Sequence, residues 1–241
     1  MTTINKNLPL RICDCGLADY NSILELQLNL SCQRRNGQIP NTVLLVEHPP
    51  VITLGARQSA NKLLASPKEL EQAHIQLVSI RRGGGSTAHN PGQIVFYPIL
   101  NLKELDLDIN EYVRTLESIG IELLKKFNID SHRKKGLPGL WVNDKKIASI
   151  GVRVSKFITH HGMAVNIHND LGIFDFIIPC GLDGIEVTSV YKEKKIKYPM
   201  EKVKEELAKL LVNYFSTDNL VKYEKIRQIT PLASQTPAGQ R

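Results

Sequence analysis

No part of this chain approaches the ~20 consecutive apolar residues that a membrane-spanning helix requires. The opening segment MTTINKNLPLRICD also lacks the sustained apolar run of a secretory signal. Together these absences lead to the expectation of a cytoplasmic protein with no membrane association. Aromatic residues are scarce, at 6% with one tryptophan, and no nucleic-acid-binding motif is present, which argues against DNA or RNA as a partner. Cysteine is limited to positions 13, 15, 32 and 180, whose spacing fits neither a disulfide framework nor a zinc site. Cys13 and Cys15 form a lone C-x-C with no second Cys or His cluster to complete a tetrahedron, so both are read as structural and no metal is expected. Reduced thiols suit a cytoplasmic protein. There is no internal repeat and no Gly-Lys-Ser/Thr phosphate-binding loop.

What is present is a chain of 241 residues, 42% hydrophobic, long enough to bury a sizeable core without a disulfide or a metal. Its 31 Lys and Arg against 24 Asp and Glu give a formal charge of +7, which favours acidic partners. The basic residues are scattered in short clusters such as Arg133-Lys134-Lys135 and residues 192–197. Acidic proteins fit that distribution. Nothing in the pattern calls for an obligate oligomer, so a monomer is expected.

Residues 19–35 carry Tyr20, Ile23, Leu24 and Leu28 at helical spacing behind Asp19, a candidate N-cap. Residues 41–55 contain two apolar runs separated by Pro49 and Pro50, which reads as strand, bend, strand. A short helix near residues 67–74 and a strand through Val78 to Ile80 precede a glycine-rich run at 82–93 and a strand at 94–100. Asn110 is a candidate cap for a helix with Val113, Leu116, Leu123, Leu124 and Phe127 on its apolar face. Residues 140–142, an Asn143-Asp144 turn and residues 146–154 form a β-hairpin, followed by a strand over 158–167. Pro199 opens a last helix striped with Met200, Val203, Leu207, Leu210, Leu211 and Tyr214. This order predicts an α+β fold, a mixed or antiparallel sheet with packed helices, in a single domain spanning 1–218. The Pro-, Ser- and Thr-containing remainder, 219–241, is expected to be a mobile tail.

Three features carry chemistry. The first is Arg82-Gly83-Gly84-Gly85-Ser86-Thr87-Ala88-His89-Asn90-Pro91-Gly92-Gln93, between two strands. Three glycines let backbone N–H groups approach a ligand, while Arg82, Thr87 and His89 supply polar handles; composition alone also allows a tight turn with exposed polar residues. The second is Cys180, between Pro179 and Gly181, which is either a presented thiol or an inert core thiol. The third is Lys146, which opens a hairpin strand beside the small residues Ala148, Ser149 and Gly151, and whose simplest reading is a solvated lysine.

The ordered motifs resemble the lipoyl(octanoyl) transferase family, collinearly from about Tyr20 to Tyr191. They are Leu45-Val46-Glu47-His48-Pro49-Pro50-Val51 with Thr53-Leu54-Gly55, the 82–93 loop with Tyr97-Pro98, and Pro138-Gly139-Leu140-Trp141-Val142. Residues 146–154, His161-Gly162-Met163-Ala164-Val165-Asn166, and Pro179-Cys180-Gly181 with Val187-Thr188-Ser189 complete the set. The resemblance implies a catalytic domain similar to that of biotin and lipoate protein ligases. It implies an acyltransferase that moves octanoyl from acyl-carrier protein to a lysine of lipoyl domains, in 2-oxoacid dehydrogenases and the glycine cleavage H protein, without a cofactor. It assigns Cys180 as acyl-thioester nucleophile and Lys146 as its partner. Substrate-binding positions fall on Arg82, Gly83, Gly84, Gly85, Ser86, Thr87, Ala88 and His89, on Ser149, Ile150 and Gly151, and on Gly162, Met163 and Ala164.

Two residues depart from the family pattern. Ala88 stands where an aromatic is typical and Asn90 where a glycine is, so the acyl pocket near that turn is expected to differ in shape. An ATP-dependent lipoate or biotin ligase is the alternative, since those relatives also use an arginine- and glycine-rich loop. A non-catalytic module that binds lipoyl domains or acyl-carrier protein is a third reading.

Overall fold

The Pro49-Pro50 pair cuts one apolar run into two strands that enter different sheets. A computed structural model describes residues 10–181, 184–216 and 221–226. The first third contains β1 (Leu10–Leu17), α1 (Tyr20–Arg35), β2 (Asn41–Glu47), β3 (Val51–Leu54), β4 (Lys62–Leu63), α2 (Pro67–Gln72) and β5 (Gln76–Ser79). The middle holds β6 (Thr87–His89), β7 (Gln93–Ile99), α3 (Ile109–Lys126), β8 (His132–Lys134), β9 (Leu137–Val142), β10 (Lys145–Ser155) and β11 (Ile158–Asn166). Then follow β12 (Ile177–Ile178), α4 (Val190–Lys194), α5 (Met200–Phe215) and β13 (Val221–Lys225), with short 3₁₀ helices at Leu171–Phe176 and Pro179–Gly181.

Eight strands form the main sheet in the order β13-β1-β2-β7-β11-β10-β9-β8. The β13, β1 and β2 end is parallel and the rest antiparallel, so the expected mixed sheet of an α+β fold is what forms. Alternation along the central strands feeds two cores. Val43 and Leu45 of β2 and Ile94 and Phe96 of β7 face α3 and α5; Leu44, Val46, Val95 and Tyr97 face α1. Burial on both faces explains why these strands read as continuous apolar runs. A smaller sheet, β5-β3-β6, stands beside the main one, and β4 pairs with β12.

Three details differ from the sequence expectations. Leu28 of α1 is exposed, while Gln27 and Arg34 are buried instead. Each of those polar side chains has a dedicated partner: Gln27 Oε1 accepts from the His161 amide at 2.8 Å, and Arg34 Nε donates to Asn41 Oδ1 at 2.9 Å. Hydropathy cannot anticipate a buried polar face of that kind. The cap of α3 is Asp108 rather than Asn110, in a reciprocal capping box with Glu111. Finally, β13 lies past residue 218, in the stretch assigned to the tail, and pairs with β1 from Leu10↔Val221 to Asp14↔Lys225. A buried Lys204 of α5 ties this edge to the core by donating to Asp14 Oδ1 at 2.9 Å. Residues 227–241 lie outside the described residues.

Candidate active site

The glycine loop is built around one guanidinium. Arg82 is buried; its Nη1 donates to the carbonyls of Gly83 (3.1 Å) and Gly85 (2.8 Å), and its Nη2 to Thr53 O (3.0 Å) and Thr53 Oγ1 (2.7 Å). Its planar fork thus binds the loop to β3, a geometry an ammonium could not reproduce. Gly84 at φ +86° sits in the left-handed region and allows the reversal. At Gly85 a Cβ would stand 2.1 Å from Ala60 O, so the loop closes against the neighbouring turn only because no side chain is there.

Beneath the loop lies a narrow slot. Its walls are Arg82, Gly84, Thr87 and His89 from the loop and β6, Ser149, Ile150 and Gly151 from β10, and Gly162, Met163 and Ala164 from β11. The empty space is about 430 Å³ with its mouth, but a water-sized sphere can be centred in only about 30 Å³ of it. The shape suits a slender chain. Met163, unbranched and polarizable, is a wall that adapts to one.

One end of the slot is polar yet uncharged. Tyr20 and His89 stack at 5.9 Å between centroids, His48 meets both rings at 5.0 and 5.7 Å, and His161 meets Tyr97 edge-on at 6.3 Å. Burial holds all three histidines neutral. It pushes His48 down to about 4 despite its contact with the Ala18 carbonyl. His89 falls to about 3 through burial and then the neighbouring His48, and His161 to about 3 through burial and then the Arg82 charge. The Gln93 amide nitrogen donates to Ala88 O and Asn166 Oδ1, so its Oε1 is the acceptor facing His89 Nδ1 at 2.7 Å. His89 therefore carries its proton on Nδ1.

Lys146 is buried near the start of β10. Its Nζ donates to Pro138 O at 3.2 Å and lies 5.3 Å from the Trp141 ring centroid. Its backbone is stitched to the segment that follows Cys180: Lys146 N donates to Glu186 O at 2.8 Å, and Thr188 N to Lys146 O at 2.9 Å. Upstream of Cys180, Ser86 Oγ of the glycine loop donates to Ile178 O at 2.9 Å. The chain around Cys180 is thus clamped on one side to the loop and on the other to the lysine strand. Cys180 belongs to the single turn Pro179–Gly181; its side chain lies outside the described residues.

Ten of the sequence-predicted substrate residues line the slot. Gly83 lines the adjoining groove, which also contains Lys146 and shares Gly84, Ile150 and Gly151 with the slot. Gly85 and Ser86 do not face the slot; they hold the loop in place. Ala88 also points away. Strand alternation sends Thr87 and His89 to the slot and Ala88 into a small core with Ile52, Leu70, Ile173 and Phe174. Asn90 likewise turns from the slot, donating to Asp170 O at 2.7 Å. Both departures from the family pattern thus bear on the seating of the Leu171–Phe176 turn, not on the slot wall. Tyr20, Val95, Tyr97 and His161 also line the slot without having been assigned to it; of these only His161 adjoins an assigned position, Gly162.

Fold and site define an α+β domain in which a narrow slot adjoins a groove that contains a buried lysine. The chain belongs to the lipoyl protein ligase A/B catalytic domain family, whose model matches residues 19–212. It is 45% identical over 179 residues to an octanoyltransferase of Syntrophobacter fumaroxidans, covering 74% of this chain and 78% of that one. It is 39% identical to a mitochondrial octanoyltransferase of Arabidopsis thaliana, covering 88% and 91%. In fold it is similar to a bipartite lipoate protein ligase of Thermoplasma acidophilum, with a TM-score of 0.69 at 15% identity, covering 92% and 89%. It is equally similar to a lipoate-protein ligase A solved with ATP, with a TM-score of 0.68 at 16% identity, covering 92% and 90%.

Proposed function

We infer that this protein is an octanoyltransferase of lipoate biosynthesis. The observation that carries this is its 39–45% identity with octanoyltransferases, against 15–16% with the ligases that share its fold. Octanoyl passes from acyl-carrier protein to a lysine of lipoyl domains, those of 2-oxoacid dehydrogenases and the glycine cleavage H protein. The protein works in the cytoplasm as a monomer, with residues 1–218 and the β13 edge as its catalytic domain.

Cys180 is the nucleophile and Lys146 its proton partner. The Cys180 thiolate attacks the carrier thioester, the acyl–sulfur bond moves to Cys180, and the departing carrier thiolate takes a proton from the Lys146 ammonium. The target lysine amine then attacks the acyl-enzyme, an amide forms, Cys180 leaves as thiolate, and the amine proton returns to Lys146. A thiol suits both halves because it is reactive as a nucleophile and competent as a leaving group. A free thiol has a pKa of about 8.5, so a nearby ammonium raises the thiolate fraction at neutral pH. The clamping of residues 178 and 186–188 to the glycine loop and to Lys146 supports this pairing.

The test is octanoyl transfer from acyl-carrier protein to a lipoyl domain in the absence of ATP. Transfer is expected. Strict dependence on ATP would establish a ligase and overturn the reading. Lys146→Ala is expected to slow acylation most near neutral pH; an unchanged rate across pH rejects its role.

A further inference from the structure

Glu117 places a carboxylate in the buried face of α3, next to Leu116 and only 2% exposed. Burying an ion there is costly unless it is fully paired. One oxygen meets that need: Oε2 accepts from Arg114 Nη1 at 3.0 Å and from Arg133 Nε at 2.9 Å. Arg133 is fixed to α3 in turn, its Nη2 donating to Ser118 Oγ at 2.6 Å. The other oxygen faces β9, where Oε1 accepts from Gly139 N at 3.3 Å. Gly139 N belongs to the peptide group whose carbonyl is Pro138 O, and that carbonyl accepts from Lys146 Nζ at 3.2 Å. A buried carboxylate and the buried lysine thus hold opposite ends of one peptide group.

Local structure is built around this contact. Gly139 has φ +120°, and a Cβ there would stand 2.4 Å from Ala148 O and 3.0 Å from Lys146 Cε, so the peptide lies this close to the lysine only without a side chain. The pairing of β10 with β9 slips by one residue between Lys146↔Trp141 and Ala148↔Leu140, a bulge of the kind that re-aims a side chain. Hydrogen bonds in series polarise one another in a low-dielectric interior. A carboxylate on the N–H end therefore makes the carbonyl end a stronger acceptor for a cation.

We propose that Glu117 is a positioning residue for Lys146: acting through the Pro138–Gly139 peptide group, its charge fixes the carbonyl that holds the ammonium and strengthens that hold. This rests on the reading of Lys146 as the proton partner of Cys180 and adds a third member to the pair. A purely structural role, as an acceptor for Gly139 N, would be met as well by a glutamine.

The experiment is single-turnover acylation of the full-length protein by octanoyl-acyl-carrier protein, read by intact mass, with Glu117→Gln, Glu117→Asp and Lys146→Ala. Glutamine keeps the volume and the acceptor but removes the charge; aspartate keeps the charge one methylene further back. Acylation is expected to slow about tenfold in Glu117→Gln and about threefold in Glu117→Asp, the scale of one charge acting across a peptide group, with the half-saturating carrier concentration unchanged. In a Lys146→Ala background neither substitution should slow it further, because the group that receives the effect is gone. A wild-type rate in Glu117→Gln, or a slowing that persists in full beside Lys146→Ala, overturns the inference and leaves the transferase reading intact. If thermal unfolding shows Glu117→Gln to be unfolded, Glu117→Asp carries the same cycle with the same two outcomes. A Lys146→Ala protein that is acylated as fast as wild type contradicts instead the role proposed for Lys146.

Discussion

The three buried histidines around the slot should make this protein acid-labile well above the pH at which carboxylates protonate. His48, His89 and His161 are at most 5% exposed, with pKa values lowered by burial to about 4, 3 and 3. In the unfolded chain a histidine titrates near 6.5. Because the folded values are depressed, the folded state binds fewer protons than the unfolded state. Stability is therefore fully present above pH ~6.5 and is lost as pH falls toward the folded values near 3 to 4. At pH 5 unfolding takes up about three protons, a slope of about 4 kcal/mol per pH unit. Integrated from pH 7 to 6 the loss is about 2 kcal/mol, and from pH 7 to 5 about 6 kcal/mol, comparable to the whole stability of a small domain. His160 and His168, also lowered by burial, act in the same direction. Urea unfolding at pH 7, 6 and 5.5 measures the slope. A matched variant isolates one contributor: His161 has φ +57°, where asparagine is tolerated, so His161→Asn removes one titration without backbone strain. Its slope should fall by about a third. A stability flat between pH 7 and 5.5, or a slope unaltered in His161→Asn, would refute the assignment of neutral histidines to the slot.

Other consequences follow from single contacts. Ser86→Ala removes the bond to Ile178 O and should cost about 1 kcal/mol in urea unfolding while slowing enzyme acylation; a lost bond with unchanged acylation would mean the loop does not position the Cys180 turn. Gly85→Ala places a Cβ 2.1 Å from Ala60 O and should destabilise by about 3 kcal/mol, read as a shift in thermal midpoint, because backbone rather than a side chain must move. Lys204→Met leaves the Asp14 carboxylate buried without its cation and should cost about 3–5 kcal/mol. Hydrogen exchange at residues 221–225 should accelerate with it, since Tyr223 OH shares Asp14 at 3.4 Å; protection unchanged there would show that β13 is held by its ladder alone.

Much of the fold was legible because its elements carry strong local signals. The proline pair separates β2 from β3, the Asn143-Asp144 turn sets the β9–β10 hairpin, and the apolar stripe of α5 keeps helical spacing. What escaped depends on partners distant in sequence. Arg34 is buried because Asn41 and Glu104 meet it, and Val221–Lys225 is a strand because β1 offers a parallel edge. The substrate positions came from a resemblance, and the fold brings ten of them onto one slot from three separate segments. Ala88 shows the limit of that transfer: a position inside a binding motif can face the opposite core, and only the alternation of β6 reveals it. The buried environment of Lys146 was equally hidden, because a lysine at a hairpin start is ordinarily solvated, whereas the 186–188 segment, Pro138 and Trp141 surround this one.

The central claim is that Cys180 carries the acyl group. Intact-mass measurement after mixing the protein with octanoyl-acyl-carrier protein tests it directly, with Cys180→Ala alongside. Wild type should gain the mass of one octanoyl group, lose it on addition of a lipoyl domain, and the variant should gain none. An adduct of the same mass on Cys180→Ala, or transfer to the lipoyl domain by that variant at the wild-type rate, would contradict the account.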